Sequence, residues 1–150
     1  MKIVGQNKKA KRDYQILQTF EAGIELRGDE VKSLREKSCS LQDSFARIEA
    51  EEAFLYNLHI PEFSQSFYFK SEPKRRRRLL LHRREIKKLM GRTSQQGLTI
   101  VPLKVYFTKR GLVKVEIALA KGRHTYDKRR KLKEKAEKRE AQRGLKDFNR

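Results

Sequence analysis

The residues that could do chemistry in this sequence are mainly cations, and they fall into three clusters. Among 150 residues, 38 are Lys or Arg and 19 are Asp or Glu, which gives a formal net charge of +19. Such an excess is typical of proteins that bind nucleic acid, where Lys and Arg neutralise phosphates without reading sequence. The clusters are Lys8-Lys9-Lys11-Arg12, Lys74 to Arg78 and the segment from Lys121 to Arg150. We expect all three to supply phosphate contacts.

Residues 121–150 form a basic tail with 13 Lys or Arg against five Asp or Glu, a net of +8. Its few apolar side chains make no continuous stripe at helical spacing, so the tail cannot pack against a core. The composition favours helix, but an isolated helix of this kind is marginal in water, and we expect a polyanion to stabilise it. Tyr126 has no packing role there, and it lies beside Asp127-Lys128-Arg129. The alternative is a solvated tail with no task.

Catalytic chemistry would need groups that converge, and the histidines and cysteine of this chain do not predict such a site. His59, His82 and His124 stand in three different contexts, and Cys39 has neither a second cysteine nor a local histidine signature. The common hydrolase, nucleotide-binding and zinc-site motifs are absent. We therefore expect no metal, no cofactor and a structural thiol at Cys39.

Scattered carboxylates could still serve a metal-dependent nuclease. Asp29, Glu30 and Asp43 are the residues available for such a site. Capping and surface solvation are the ordinary roles of such residues, and we do not expect an enzyme.

Apolar periodicity predicts about six short strands, which must position these groups. Residues 1–12 precede them as a basic arm. The expected strands are Tyr14 to Phe20, Ile24 to Arg27, Phe45 to Ile48, Phe54 to Ile60, and a hairpin of Val101 to Phe107 with Val113 to Leu119, with a further extended segment at Phe67 to Phe69.

Two short helices are expected between the strands. The first is capped by Asp29 and runs through Lys37, with Val31 and Leu34 towards the core. The second covers His82 to Met90 and ends at Gly91. The side chains expected on its apolar face are Ile86, Leu89 and Met90, and those expected outside the first helix are Lys32, Arg35 and Lys37.

Strands that do not alternate regularly with helices predict an antiparallel barrel or sandwich, with an OB-like barrel as the first candidate. Closing a small sheet removes its exposed edges and leaves a surface for an oligonucleotide. We expect residues 1–120 to form the RNA-binding barrel with its basic arm, and residues 121–150 to become helical on binding. No apolar run suits a membrane span or an export signal, so we expect a cytoplasmic protein with no membrane partner.

Six blocks of sequence carry a family resemblance through almost the whole chain, in order. The blocks are NKKAKRDYQI (Asn7 to Ile16), FEAGIELRGDEVKSLR (Phe20 to Arg35), DSF (Asp43 to Phe45), RRRRLLLHRREI (Arg75 to Ile86), GLTIVPLKVYF (Gly97 to Phe107) and ALAKGRHTYDKRR (Ala118 to Arg130). Taken together, they resemble the SsrA-binding protein (small protein B) family of bacterial trans-translation.

The resemblance implies an OB-like barrel that binds the tRNA-like domain of transfer-messenger RNA (tmRNA, or SsrA RNA). With elongation factor Tu, such a protein brings this RNA to ribosomes stalled without a stop codon, for rescue and for tagging of the incomplete protein. In the family the acidic residue of FEAG, here Glu21, and the LLL-x segment, here Leu80 and His82, contribute to RNA binding. The expected tmRNA interface is Lys8, Lys9, Lys11, Arg12, Glu21, Arg35, Leu80, His82 and Arg83.

The resemblance also implies that the tail folds as a helix in the empty messenger channel of the small ribosomal subunit. There Tyr126, the residue before DKR, would stack on a decoding-centre base, and Gly122 would be a flexible exit from the barrel. The residues expected to contact small-subunit rRNA are Gly122, Tyr126, Asp127, Lys128, Arg129, Arg130, Lys131 and Lys133.

Two positions depart from the family pattern and affect the expected loop geometry. Ala50-Glu51 stands where a turn glycine is usual, and the proline of Ile60-Pro61-Glu62-Phe63 comes one place early. From the residues alone, two other functions stay open: a structural ribosomal protein with a basic extension, and a nuclease. For the RNA-binding adaptor we expect a monomer.

Overall fold

The chain folds into an antiparallel β structure with a few short helices. The computed structural model describes residues 1–64, 70–95 and 97–122. The expected fold class, mainly β with short helices, is confirmed. In chain order the elements are β1 (Lys2–Gln6), α1 (Ala10–Asp13), β2 (Tyr14–Ile24), α2 (Gly28–Glu36), β3 (Phe45–Glu49), β4 (Glu52–Tyr56), β5 (Arg77–Leu80), α3 (Arg83–Thr93), β6 (Leu98–Phe107) and β7 (Val113–Gly122).

Six of the strands form a barrel-like ring. The pairing runs β6–β3–β4–β5–β2–β7 and returns from β7 to β6, and every pair is antiparallel. The junction between β3 and β6 is the weakest, since it consists of the single pair Ala46 and Ile100. The seventh strand, β1, lies outside the ring and pairs with the distal half of β6.

The inward-facing side chains of the ring form one apolar core, as strand alternation requires. A β-bulge in β2, between Ile16 and Gln18, explains why the alternation of this strand is imperfect in the sequence. Leu17 is thereby left 41% exposed. The fully buried core side chains of the strands include Leu55, Leu79, Ile100, Val105, Val115, Ile117 and Leu119.

The N-terminal arm is more ordered than the sequence predicted, because its first residues are a strand. Val4 is buried, and Gly5 packs so closely on Cys39 that an added Cβ would lie 2.4 Å from the sulfur atom. Ala10, in α1, is 1% exposed. The expected "arm" is therefore a strand and one helical turn, which hold the surrounding cations in place.

Two strand predictions were wrong in their limits. The residues from Ile24 to Arg27 are not a separate strand, because β2 runs unbroken through Gly23 and ends at Ile24. The strand expected to end at Ile60 stops at Tyr56, since Asn57 takes a left-handed conformation with φ 60°. Buried side chains continue to alternate beyond that point, which is why the pattern still looked like a strand.

The first helix was predicted correctly in its core-facing residues but not in its cap: Arg27 is the N-cap residue of α2, and Asp29 lies inside the helix and binds Ser71. The second helix extends beyond its prediction. In α2, Val31 and Leu34 pack on the core, whereas Lys32, Arg35 and Lys37 are exposed. Helix α3 continues through Gly91 to Thr93. The prediction for its apolar face was wrong in part, because Leu89 is buried while Met90 is 43% exposed.

Candidate nucleic-acid interface

Glu21 lies on the outer face of the barrel, in the middle of β2. It is exposed, and it is directly opposite Glu116 on β7. Its Oε2 accepts a hydrogen bond from the hydroxyl of Tyr106 on β6 at 2.6 Å. Glu116 is paired in turn with Lys104, whose Nζ lies 3.2 Å from the carboxylate. Glu21 thus places a carboxylate at the surface of a cationic protein.

Leu80 is held next to this face by the pairing of β5 with β2. It is the partner of Gly23 in the sheet, two residues along β2 from Glu21. A Cβ at Gly23 would meet the Cβ of Leu80 at 3.2 Å, so only glycine lets the two strands approach without crowding. Leu80 is 48% exposed, which is unusual for a leucine in a strand that also carries fully buried residues.

His82 and Arg83 continue this surface at the start of α3. His82 is the N-cap residue, and its backbone N–H donates to Glu85 Oε1 at 3.1 Å. Both side chains are exposed. The structure therefore places four of the expected tmRNA-binding residues, Glu21, Leu80, His82 and Arg83, on neighbouring elements: the paired strands β2 and β5 and the start of α3.

An apolar groove beside Leu80 was missed by the sequence analysis. Leu112, in the turn between β6 and β7, is 57% exposed and lines a groove of about 300 Å³ with Leu80, Leu26 and Lys114. The only sequence signal was an apolar residue in an otherwise polar turn, TKRGL. The groove adds an apolar surface to the group of residues around Glu21.

The cations of the N-terminal arm lie at the opposite end of β2. Lys8, Lys9, Lys11 and Arg12 are exposed around the buried Ala10, and several of them line a groove of about 530 Å³. Helix α1 leads straight into Tyr14, nine residues before Gly23 in β2. At about 3.3 Å per residue, this separation amounts to roughly 30 Å of strand. The expected interface is therefore divided into two groups of residues rather than one.

Arg35 belongs to neither of these two groups. It is exposed near the end of α2, and its carbonyl oxygen accepts a hydrogen bond from Lys2 Nζ at 3.4 Å. This contact places it beside the start of β1. The structure does not bring it together with Glu21.

All four arginines of the cluster from Lys74 to Arg78 are bound by other groups of the protein. Arg77 is fully buried, and its Nε and Nη2 lie 2.7 and 2.6 Å from Glu30 Oε2. Its remaining donors reach the carbonyl oxygens of Leu58 at 2.6 Å and Pro73 at 3.0 Å. Arg75 binds both oxygens of the same Glu30 carboxylate. The expectation that this whole cluster contacts phosphate is wrong for Arg77, because its guanidinium has no exposed surface.

The two arginines that point outward from this cluster also have partners. Arg76 lies 3.1 Å from Glu49 and stacks over the ring of Phe54 at 4.1 Å. Arg78 is within 3.9 Å of both Glu25 and Glu52. These are exposed pairs, which contribute little to stability.

The buried carboxylate of Glu30 stays ionised because of these arginines. Desolvation by burial would raise its pKa, but the hydrogen bonds from Arg75 and from the backbone of Arg27, with the charge of Arg77, lower the pKa overall. Asp29 binds the backbone N–H and hydroxyl of Ser71, at 2.8 and 3.0 Å. Two of the three carboxylates considered for a nuclease, Asp29 and Glu30, thus have structural partners, and the described residues contain no cluster of three with Asp43 that could hold a metal ion.

Comparison with known proteins decides the family of the chain. Residues 4–147 match the family described as SmpB protein. The chain belongs to the SmpB family. It is 55% identical to the SsrA-binding protein of Thermosipho melanesiensis over 148 residues, which cover 99% of this chain and 98% of the relative. It is 53% identical to that of Streptomyces coelicolor over 144 residues, covering 96% and 90%.

A solved structure of the same family supports the fold. It is described as tmRNA–SmpB in the center of the bacterial ribosome, and it is 49% identical to this chain. The superposition has a TM-score of 0.66 and covers 78% of this chain and 82% of the other. The family and the fold expected from the sequence resemblance are confirmed.

The departures from the SmpB pattern are local. Ala50 and Glu51 join β3 to β4, and both have left-handed φ angles, 48° and 62°. A two-residue hairpin with positive φ at both positions is the turn in which glycine or asparagine is favoured, so this chain makes it with less suitable residues. The carbonyl oxygen of Pro61 accepts a hydrogen bond from Ser33, which attaches the segment to α2.

The expected ribosome-contacting residues lie almost entirely outside the described part of the chain. Gly122 is the exception: it is the last residue of β7 and pairs with Tyr14. It is therefore part of the sheet, and β7 continues two residues past the expected end of the barrel. The residues outside the described ranges are Tyr126, Asp127, Lys128, Arg129, Arg130, Lys131 and Lys133, as is the segment expected at Phe67 to Phe69.

Other kinds of site find little support in the described residues. Cys39 donates weakly to the carbonyl oxygen of Val4 at 3.6 Å, and burial raises the pKa of its thiol to about 11, which suits a structural role. Within residues 1–64, 70–95 and 97–122, no three His, Cys, Asp or Glu side chains are arranged to hold a metal ion. In the same ranges, no helix combines the length and the apolar character that a membrane span needs.

Proposed function

We propose that this SmpB-family chain binds the tRNA-like domain of tmRNA and carries it to stalled ribosomes for trans-translation. Family membership supports the proposal, because relatives that match nearly the whole chain are SsrA-binding proteins, and the solved relative is described with tmRNA and the ribosome. The chain acts in the cytoplasm as a monomeric RNA-binding adaptor, without catalysis, and reaches elongation factor Tu through the tmRNA complex.

The observation that carries the proposal is the surface around Glu21 and Leu80. It offers an exposed carboxylate, an apolar groove and nearby cations, on the side of a small barrel. RNA with unstacked bases needs these three things: acceptors for base or ribose donors, apolar surface for base faces and cations for phosphate. A surface that bound only duplex phosphate would need cations alone.

Residues 8–12 and the tail complete the proposal. Because β7 ends beside the start of β2, the chain leaves the barrel next to the arm cations. We assign Lys8, Lys9, Lys11 and Arg12 to phosphate contacts near the root of the tail, and residues 123–150 to the decoding centre and the messenger channel. Tyr126 would stack on a base there, with the basic residues that follow it along the channel.

The test is to identify the RNA that copurifies with the tagged full-length protein from bacterial cells. A single predominant tmRNA is the expected result. Ribosomal RNA in equal amounts with the protein would instead indicate a structural ribosomal protein, and trimmed fragments that form only with divalent ions would indicate a nuclease.

A truncation separates the roles of barrel and tail. A chain that stops at Gly122 keeps the whole of β7, and it should still bind tmRNA while failing to support tagging on stalled ribosomes. Loss of tmRNA binding on this truncation would contradict the division of roles. Tyr126→Ala in the full chain should likewise spare RNA binding and reduce tagging.

A further inference from the structure

The carboxylate of Glu21 lies close to another carboxylate, which is unfavourable unless a hydrogen-bond donor stabilises it. Glu116 is directly opposite on β7, and like charges at that position of a sheet repel. Lys104 is engaged with Glu116 at 3.2 Å, and among the described residues no cation forms an ion pair with Glu21. The negative charge of Glu21 is therefore not neutralised by the barrel.

Tyr106 supplies the fixed contact. Its side chain is part of β6 and only 6% exposed, so the ring has little freedom, and its hydroxyl donates to Glu21 Oε2 at 2.6 Å. Burial, followed by the neighbouring Glu21 and Glu116 carboxylates, raises the pKa of the Tyr106 hydroxyl, which keeps it protonated as a donor. The hydrogen bond restrains the exposed Glu21 side chain from a nearby position on the same face of the sheet.

The second carboxylate oxygen of Glu21 stays available. In the described part of the chain, no donor reaches Oε1, and the residue as a whole is exposed. A carboxylate has acceptor sites to spare after one hydrogen bond, but it repels phosphate. Its suitable RNA partners are a base N–H group or a ribose 2′-hydroxyl.

We infer that Tyr106 is a positioning residue that holds the Glu21 carboxylate ready to accept a hydrogen bond from a base or ribose of the bound RNA. The inference rests on the proposed function, because it needs Glu21 at the RNA interface. Holding the side chain in place before binding removes the loss of rotamer freedom that binding would otherwise impose. Tyr106 itself is almost fully buried and offers the RNA little surface.

The experiment is a double-mutant cycle on the full chain, with the dissociation constant for the isolated tRNA-like domain of tmRNA as readout. Tyr106→Phe keeps the ring and removes only the hydroxyl, and it should weaken binding about threefold to tenfold, as expected when the rotamer freedom of one side chain must be given up on binding. Glu21→Ala should weaken binding at least as much. Adding Tyr106→Phe to Glu21→Ala should have no further effect.

Tyr56→Phe is the matched control. The hydroxyl of Tyr56 donates to another glutamate, Glu49, on a different part of the barrel. The Tyr56→Phe substitution also removes a hydroxyl from a Tyr–Glu pair, and it should leave the affinity for RNA unchanged. The slope of affinity against salt should also stay the same in Tyr106→Phe, because no phosphate contact is lost.

The cycle separates this inference from the proposed function. Two outcomes would overturn the positioning role while the proposed function stands, provided that the wild-type chain binds the RNA. In the first, Tyr106→Phe binds the RNA as tightly as wild type. In the second, Tyr106→Phe weakens binding by the same factor whether or not Glu21 is present. If the wild-type chain does not bind the RNA, both fail. A Tyr106→Phe chain with an unchanged melting temperature and reduced affinity, seen only when Glu21 is present, supports the inference.

Discussion

Two regions of this chain have almost the same basic composition and opposite fates in the fold. The segment from Lys74 to Arg78 enters β5, where alternate side chains point in and out, so that Arg77 is buried and held by Glu30. The segment from Lys8 to Arg12 surrounds one helical turn, whose only buried residue is Ala10. In the first group, Arg75 and Arg77 stabilise the barrel through the buried Glu30. All four cations of the second group face solvent.

The difference teaches that the number of Lys and Arg residues in a sequence segment does not give the number of cations that can contact RNA. A strand conceals every second residue, and a buried arginine must have its donors satisfied by the protein itself. A short helix at the surface conceals one residue in four or so, and a small alanine suffices there. The secondary structure around a basic run therefore decides whether it can bind RNA.

The largest effect that would test this comparison is the removal of the buried charge partner. Glu30→Gln keeps the shape of the side chain and its acceptor for the backbone of Arg27, but it leaves Arg77 with an unpaired buried charge. We expect a loss of roughly 3 kcal/mol in the free energy of unfolding, measured by urea denaturation. Glu25→Gln, in the exposed pair with Arg78, should cost less than about 1 kcal/mol. Equal effects would mean that burial does not distinguish the two pairs.

The pH dependence of stability should follow from the same carboxylate. The pKa of Glu30 in the folded chain is below its ordinary value of 4.5, so the unfolded state binds the proton more readily. The stabilisation is complete above about pH 4.5 and is lost as the pH falls through the lowered pKa. Wild type should therefore lose stability in that acidic range more steeply than Glu30→Gln, as measured by urea midpoints from pH 3 to pH 7. Parallel curves would contradict the assignment.

Substitutions in the arm, Lys8 to Arg12, should weaken RNA binding without changing stability, and the effect should be smaller than that of Glu30→Gln. Lys8→Ala with Lys9→Ala should weaken tmRNA binding by a factor of roughly five and lower the salt slope by one to two units, since each phosphate contact contributes about 0.7 to 0.9. The melting temperature should not change. Lys32→Ala with Lys37→Ala removes the same charge from exposed positions in α2 and directly after it, and is the control. The same loss in both variants would mean that net charge alone drives binding.

The smallest effect is expected for Arg76, which belongs to neither extreme. Its guanidinium is exposed, but it is paired with Glu49 and stacked on Phe54. Arg76→Ala should change neither the urea midpoint nor the salt slope of RNA binding appreciably. A fall in the salt slope like that of the arm variant would place Arg76 among the phosphate contacts despite its partners.

The sequence predicted the fold best where local signals sufficed. The hairpin of β6 and β7 was found because its alternation and turn are contained in one stretch, and the helix α2 because Val31 and Leu34 have helical spacing. The strand β1 was missed, since it exists only through pairing with β6 a hundred residues later. The burial of Arg77 was missed for the same reason, because its partner Glu30 is 47 residues away.

The candidate site could be predicted in part. Glu21 and Leu80 came from the family resemblance, and the structure brings them to one face through the pairing of Gly23 with Leu80. Tyr106 could not be assigned, because nothing in its sequence neighbourhood points to Glu21, 85 residues away. Leu112 looked like an ordinary turn residue until the groove beside Leu80 was visible.

Four consecutive arginines leave only part of the alignment of β5 to side-chain type. A shift of β5 by two positions would put Arg75 at the inward position of Arg77, but it would also put Arg77 at the buried position of Leu79, so both positions favour the observed alignment. The carbonyl oxygens of Leu58 and Pro73, with the carboxylate of Glu30, accept from Arg77 at one alignment only. The buried ion pair thus helps to fix the register of β5. It selects Arg77 among four identical residues, and through β5 it places Leu80 beside Gly23.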